Sequence, residues 1–145
     1  MAAINKIEAY LYTANVESAG TDGWVYLGIA GREFSLDSSN NDFEQGQTFT
    51  YVLGEGANVL EPDYNDPRKP QLDTDDLDRY PAYIRFEPEG KYPAWCLERV
   101  IVTVNPGSRT PHRFDNPRLV GSADNQRIWL DQKYGKVLYL KRYDG

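Results

Sequence analysis

The sequence has one cysteine, Cys96, and one histidine, His112, among its 145 residues. A single cysteine cannot form an intrachain disulfide, and one histidine with one cysteine is a poor ligand set for zinc. Sequence patterns of nucleophilic, zinc-dependent or nucleotide-binding enzymes, such as GxSxG, HExxH and the P-loop, do not occur. We therefore expect a protein that is not an enzyme.

Neither of these two residues lies in a setting typical of a catalytic group. His112 falls in the Pro-flanked segment SRTPHRF, which predicts a solvated loop side chain. Cys96 lies between Trp95 and Leu97 in an apolar strand pattern, where a free cysteine behaves as a small hydrophobic residue. We expect His112 on the surface and Cys96 in the interior.

The sequence also lacks long apolar runs and an excess of basic residues. No segment has the apolar core of a signal peptide or the length of a membrane span, so the given chain is predicted to be soluble. Sixteen Lys and Arg oppose 22 Asp and Glu, which gives a net charge of -6. This charge argues against nucleic acid as a partner. It also disfavours anionic lipid, unless a bound cation reverses the local charge.

What the sequence does contain is alternating, Tyr-rich segments separated by turns. Alternation of apolar and polar residues is typical of half-buried strands, and no sustained helical period or internal repeat interrupts it. The pattern predicts a single all-β domain over 1–145, an antiparallel β-sandwich of eight strands. The predicted strands are Lys6–Thr13, Trp24–Ala30, Arg32–Leu36, Gln47–Leu53, Ala82–Phe86, Trp95–Val104, Arg127–Leu130 and Val137–Leu140.

One long segment breaks this pattern, at about 54–80. It is acidic and rich in Pro, which predicts a surface excursion, and loops of this length often carry function. Its acidic run, 73–78, lacks the glycine and terminal glutamate of an EF-hand loop. We interpret that run as a solvated acidic face.

The segment 35–46, SLDSSNNDFEQG, places nine oxygen-bearing side chains around one Phe. A surface turn needs one or two such residues to set its dihedral angles. Asp37, Asn40, Asp42 and Glu44 lie close together, and their carboxylates repel one another unless a cation compensates the charge. Calcium prefers carboxylate, amide and carbonyl oxygens of this kind. The segment is therefore either a polar hairpin or a calcium-binding loop.

Two boxes in the first third of the chain resemble the PLAT domain, a β-sandwich module of lipoxygenases, pancreatic-type lipases and clostridial phospholipase C toxins. The first box, AGTDGWVYLGIAG (19–31), matches the family's AGTD-aromatic-VYL signature, and the second, NNDFEQG (40–46), matches its NDFxxG box. Later segments, IRFEPEGKYPAWCLERVIVTV and RIWLDQKYGKVLYL, are similar to the family's closing strands. The resemblance covers nearly the whole chain.

The resemblance implies two four-stranded antiparallel sheets with calcium-binding loops at one end. The spacing LDxxxND of the toxin-like members is kept from Leu36 to Asp42, which implies calcium ligands there. Lipoxygenase-like members add the carboxylate after the NDF box, and the turn before the second strand supplies a second cluster. The implied metal ligands are Gly20, Asp22, Asp37, Asn40, Asn41, Asp42 and Glu44.

Two departures from the family pattern concern the same end of the domain. Many members carry an Asp before the aromatic that opens the penultimate strand region, whereas this chain reads KYPAW at 91–95. The Asp22 cluster is thus either incomplete or completed by Glu89 or a backbone carbonyl. Membrane-binding members also carry aromatics at their loop tips. The residues available here for membrane or partner contact are Val16, Tyr92 and Trp95.

Three functions remain open at the level of sequence. The first is a non-catalytic, calcium-dependent module that docks on a membrane surface or a protein partner. The second is a β-sandwich that binds carbohydrate or another ligand through aromatics, with structural calcium. The third is an enzyme with 54–80 as a lid. Four aromatics alternate with other residues in the predicted strands, and this pattern predicts that they fill the core or cover the faces of the sheets rather than bind a ligand. They are Trp24, Tyr26, Trp95 and Trp129.

Overall fold

The computed structural model describes residues 2–89, 94–116, 127–133 and 135–143. Within these ranges the chain forms ten β-strands and one short 3-10 helix, Thr74–Leu77. The strands are β1 (Lys6–Thr13), β2 (Trp24–Ile29), β3 (Arg32–Ser35), β4 (Thr48–Gly54), β5 (Tyr83–Glu87), β6 (Trp95–Val104), β7 (His112–Asp115), β8 (Ile128–Leu130), β9 (Val137–Tyr139) and β10 (Lys141–Arg142).

The strands form two antiparallel sheets, which confirms the predicted β-sandwich. One sheet has four strands in the order β3-β2-β5-β9. The other has six described strands, in the order β10-β7-β6-β1-β4, with β8 pairing the first residues of β6. The second sheet is thus larger than the four strands expected. The sequence pattern does not predict strands β7 and β10, because both are too short to show alternation. Phe114 is the only buried residue in these two strands.

The core lies between the two sheets and follows the period of two in the sequence. Strand β1 alternates strictly between half-buried and buried residues, and β6 contributes a run of buried residues. The largest fully buried side chains include Trp95, Tyr51, Phe34 and Phe86. The Trp95 indole Nε1 donates a buried hydrogen bond of 2.9 Å to Thr13 Oγ1, so its one polar atom is satisfied inside the core.

Strand register decides which tryptophans reach the surface. Trp95 pairs with Leu130, and the next pair is Cys96 with Trp129. Because neighbouring residues of a strand face opposite sides, Trp95 points inward and Trp129 outward. Trp95 is 0% exposed, so the prediction that it contacts a membrane or partner is wrong, while its expected core packing is confirmed.

The excursion at 54–80 is anchored to the sandwich at several points. Val59, Leu72 and Leu77 are buried in the main core. Backbone hydrogen bonds of 2.8 Å join it to the N-terminal segment, from Ile4 N to the Leu72 carbonyl and from Thr74 N to the Ala2 carbonyl. Its acidic run forms the capping box of the 3-10 helix, so part of that charge has a structural role.

We predict that Thr13→Val destabilises the protein by about 1–3 kcal/mol, because it leaves the Trp95 indole N–H buried without an acceptor. Urea unfolding followed by Trp fluorescence measures the change. Thr103→Val is the matched control, since Thr103 is half-buried on β6, and it should change the unfolding free energy by no more than about 0.5 kcal/mol. Equal effects of both substitutions would contradict the prediction.

Candidate functional site

Two loops that the sequence singled out meet at one end of the sandwich. The loop between β1 and β2 contributes Ser18, Gly20, Thr21 and Asp22, and the loop between β3 and β4 contributes Glu44 and Gln45. Together these residues line an open surface pocket of about 400 Å³. The structure therefore brings Gly20, Asp22 and Glu44, which belong to two separate motifs, to one place.

A glycine allows this close approach of the two loops. A Cβ atom at position 20 would lie 3.0 Å from the Gln45 backbone nitrogen and 3.2 Å from the Phe43 carbonyl oxygen. Next to it, Thr21 N donates a 3.1 Å hydrogen bond to that Phe43 carbonyl. A larger residue at position 20 would push the loops apart, which is a physical reason for the glycine of the first motif.

Phe43 fixes the second loop to the core. Its ring stacks on Tyr51 at a centroid distance of 5.5 Å and meets Trp95 edge-on at 5.3 Å. Its backbone has a φ of +60°, which a bulky residue rarely adopts unless the surrounding packing imposes it. Burial of Phe43 places its two acidic neighbours, Asp42 and Glu44, in separate surroundings.

Asp42 is held by three hydrogen bonds. Its Oδ2 accepts from Ser38 N at 2.9 Å, and its Oδ1 accepts from Ser38 Oγ at 2.6 Å and from the Tyr51 hydroxyl at 2.9 Å. Burial and the Asp42 charge raise the pKa of Tyr51, so the phenol remains a donor. Asp42 thus organises its own loop besides being a candidate ligand.

Asp37 lies directly beside Asp42. Burial raises the pKa of Asp37, and hydrogen bonding to Asp42 and the charge of that carboxylate raise it further. Two carboxylates this close cannot both ionise without a cost, which is why the neighbouring carboxylate raises the pKa of Asp37. A bound cation removes the same repulsion.

The remaining predicted ligands form a separate, exposed group. Asn41 Nδ2 donates to Glu44 Oε1 at 2.8 Å, and Asn40 N donates to Ser38 Oγ at 3.2 Å. Among the described residues, no three or more His, Cys, Asp or Glu side chains are grouped so as to hold a metal ion. The acids are thus split between the Asp37–Asp42 pair and the pocket of Asp22 and Glu44.

The donors at this end nevertheless suit calcium in kind. They are carboxylate, amide and backbone oxygens, and calcium accepts six to eight oxygens in flexible geometry with water among them. The Asp37–Asp42 pair and the Asp22–Glu44 pocket each offer two carboxylates, and the Asn side chains and the Gly20 carbonyl offer neutral oxygens. Glu89, considered as an additional acid, is exposed at the end of a described range, and Tyr92 lies outside the described residues.

Exposed aromatics flank this end of the sandwich. Trp24 is 47% exposed and begins β2, two residues after Asp22. Trp129 is 38% exposed and lines an adjoining pocket of about 610 Å³ with Ala94, Ile128 and Asp131. The sequence pattern alone does not mark either residue as exposed, because alternation does not reveal which face of a strand is outward.

Val16 and Cys96 belong to a small satellite core beneath these loops. Cys96 packs with Ala14 and Ala19, and Val16 lies partly buried against them. Burial raises the pKa of the Cys96 thiol to about 11, so it is a protonated, hydrophobic side chain at neutral pH. The predicted burial of Cys96 is confirmed, and Val16 has little free surface for insertion.

His112 lies in a different pocket, with Ser108, Thr110 and Arg142 among its lining residues. Its Nδ1 is 2.9 Å from Arg142 Nη2. It is half-buried, in contrast to the solvated side chain that the sequence predicted. His112 begins β7, and its place in a strand explains why it is half-buried.

No protein-family model matches the chain. Over 55 residues, which are 34% of this chain and 14% of that protein, it is 44% identical to a phospholipase C of Clostridium novyi. Over 62 residues, which are 39% of this chain and 16% of that protein, it is 40% identical to a phospholipase C of Clostridium haemolyticum. The aligned segments therefore span less than one fifth of these relatives.

Solved structures match over almost the whole chain. The alpha toxin of Clostridium absonum superimposes with a TM-score of 0.60 and 24% identity, over 97% of this chain and 32% of the toxin. Coral 8R-lipoxygenase, described as activated by calcium via a C2-like domain, gives a TM-score of 0.56 and 20% identity, over 97% of this chain and 17% of the enzyme. These matches confirm the predicted resemblance to the PLAT domain at the level of the fold.

We predict that Asp37→Asn raises the melting temperature at pH 7 in the presence of a chelator. Since the pKa of Asp37 is raised in the folded state, ionisation of this residue lowers stability as pH rises from its unfolded pKa through its folded one. An amide removes that charge and can donate to Asp42. Thermal melts from pH 3 to pH 8 check the prediction, and the gain should disappear at the acidic end.

Asp22→Asn is the control for this experiment, because Asp22 is exposed and should leave the chelator melting curve unchanged. Loss of stability in Asp37→Asn at pH 7 would show that the Asp37 charge is compensated within the protein.

Proposed function

We propose that this chain is a non-catalytic, calcium-binding module that docks on an anionic membrane surface through the end that carries Asp22, Asp37 and Asp42. The observation that carries the proposal is the adjacent Asp37–Asp42 pair, in which the pKa of Asp37 is raised. Such a pair concentrates negative charge near a pocket lined by further oxygen-bearing groups. A divalent cation is the simplest ligand that relieves it.

Calcium would be held by the Asp37 and Asp42 carboxylates, with neutral oxygens from the neighbouring Asn side chains. The hydrogen bonds from Ser38 and Tyr51 keep the Asp42 carboxylate oriented before any ion arrives. When bound, calcium supplies positive charge and open coordination positions. Glu44 and Asp22 face the adjoining pocket, where a second ion would find carboxylate oxygens.

Calcium would also change how the domain meets a membrane. With a net charge of -6, the chain is repelled by anionic headgroups. Each calcium ion adds two positive charges at one end and leaves the rest of the surface unchanged. Lipid phosphates could then complete the coordination of the ion.

Trp24 and Trp129 supply the apolar part of the contact. Both are exposed at the calcium end, and an indole suits the membrane interface because it has an apolar body and a polar N–H. Burying one aromatic side chain contributes about 1.5–3 kcal/mol. Two residues of this kind strengthen an electrostatic contact without anchoring the domain permanently.

The comparisons support this function through the proteins that share the fold. The coral lipoxygenase is described as calcium-activated via a C2-like domain, and that chain and the Clostridium absonum toxin superimpose on nearly all of this chain. The superimposed part is 32% or less of either relative, so their catalytic activities are not assigned to this chain. A protein partner is the alternative target of the same end.

We predict that millimolar calcium raises the melting temperature by about 6–10 °C over a chelator control. A ligand at a hundredfold excess over its Kd adds about 2.7 kcal/mol to the free energy of unfolding, and in a domain of this size that gives such a shift. Magnesium should do less, because it requires tighter octahedral geometry. Differential scanning calorimetry measures both, and Asp37→Asn should remove most of the calcium shift. An unchanged melting temperature in calcium would contradict the proposed site.

We predict calcium-dependent sedimentation with phosphatidylserine vesicles that weakens about tenfold or more in Trp24→Ala and Trp129→Ala. Tyr143→Ala is the matched control, since Tyr143 is 49% exposed and follows β10, away from the calcium end. High salt should weaken binding of all variants. Binding that persists in chelator would contradict the proposal, and absence of binding in any condition would favour a protein partner.

A further inference from the structure

The four-stranded sheet carries a second pocket at the end opposite to the calcium loops. This pocket has a volume of about 240 Å³, and its lining includes Gly31, Glu33, Tyr80, Pro81 and Tyr83. Strand β2 runs from one end of the sheet to the other. Trp24, at the calcium end, pairs with Glu87, and Gly28, near the pocket, pairs with Tyr83. The pocket is thus separate from the candidate calcium site.

Two glycines allow the tyrosine rings at this pocket to lie against the backbone. A Cβ at Gly28 would be 2.1 Å from the Tyr83 ring, and a Cβ at Gly31 would be 2.9 Å from the Tyr80 ring. Gly31 also has a φ of +82°, which favours glycine. With one side of each ring against a glycine, the rings are held in place.

A third tyrosine extends this aromatic surface. Tyr139 on β9 meets Tyr83 edge-on at a centroid distance of 6.0 Å. It is 61% exposed, and Tyr80 is 50% exposed, so both rings offer stacking surface to solvent. We call Tyr80, Tyr83 and Tyr139 the tyrosine site.

The polar groups next to the tyrosine site are held by hydrogen bonds within the protein. Glu33 accepts hydrogen bonds from the Tyr83 hydroxyl at 2.7 Å and from Arg85 Nε at 2.8 Å. Arg32, which also lines the pocket, donates to the Asp66 carbonyl at 2.8 Å and to the Tyr64 carbonyl at 3.3 Å. These charged side chains thus have hydrogen-bond partners within the protein. Burial and Glu33 raise the pKa of Tyr83 to about 12, so its hydroxyl remains a donor throughout the physiological range.

This combination of features selects the class of ligand. Glu33 is already paired with Arg85, and the Arg32 guanidinium is bonded to backbone carbonyls, which disfavours anionic lipid, phosphate and nucleic acid as ligands. Exposed rings beside fixed hydrogen-bonding groups suit a ligand with apolar faces and many hydroxyls. A neutral sugar has both, since a pyranose presents C–H bonds on its faces and hydroxyls at its rim.

We propose that the tyrosine site binds neutral carbohydrate, independently of calcium. The sugar ring stacks on Tyr80 or Tyr139, and its hydroxyls reach Glu33 and the Tyr83 hydroxyl. The candidate calcium end and the tyrosine site lie at opposite ends of one sheet, so membrane docking leaves the tyrosine site open to solvent.

Native affinity electrophoresis in gels that contain hydroxyethyl cellulose, xylan, galactomannan or dextran tests the proposal. We expect at least one of these neutral polysaccharides to retard the protein. Tyr80→Ala and Tyr139→Ala should each weaken the interaction about tenfold, whereas Tyr143→Ala, a control of similar exposure on the other sheet, should leave it unchanged. Melting curves of the exposed-residue variants confirm that they fold.

The same retardation should persist in chelator and in Asp37→Asn, so its failure and the failure of calcium docking are distinguishable. No retardation by any of the four polysaccharides would overturn the proposal. Equal loss in Tyr143→Ala, or retardation only in gels with anionic polygalacturonate, would overturn it as well.

Discussion

The contact on which the candidate site depends is the burial of Phe43 between Tyr51 and Trp95. This one ring fixes the loop after β3 to the core, and the Phe43 carbonyl then holds the loop before β2 through Thr21. Hydrogen bonds from Gly46 N to the Ala14 carbonyl and from Thr13 N to the Gln47 carbonyl join the same two loops nearby. The positive φ of Phe43 is an unfavourable backbone conformation, and this packing stabilises it. A binding site on loops therefore takes its precision from the core beneath it.

The Asp37–Asp42 pair shows how a stable fold can keep a locally unfavourable feature. The pair costs free energy whenever both groups are ionised, and the protein offsets this cost mainly at Asp42, which accepts hydrogen bonds from Ser38 and Tyr51. A backbone hydrogen bond from Ser38 favours the charged form of Asp37, but burial and the Asp42 carboxylate outweigh it and raise the pKa of Asp37. Binding sites commonly hold charges that the fold alone does not neutralise, because the ligand does so. The same charge repulsion explains why calcium binding would also stabilise this end of the domain.

Two chemically different surfaces lie at opposite ends of the four-stranded sheet, one strand length apart. Near the start of β2, the acidic loops suit a cation and the exposed indoles suit a membrane interface. Near the other end of β2, Gly28 and Gly31 leave space for tyrosine rings beside the ion pair of Glu33 and Arg85. A rigid sheet keeps these surfaces apart, so ligands at the two ends need not compete.

The sequence by itself determined the β-sandwich, most strand positions and the two motifs of the candidate site, because alternation and short loop boxes are local properties of the chain. It did not reveal β7 and β10, which are too short to alternate, or the outward position of Trp129 against the inward position of Trp95. It also did not show that Asp42 and Glu44 lie in separate surroundings, or that Tyr83 contacts Tyr139 and lines a pocket with Tyr80. Those facts depend on which strands pair and in which register, and pairing joins residues that are far apart in the sequence. Only the tertiary structure decides them.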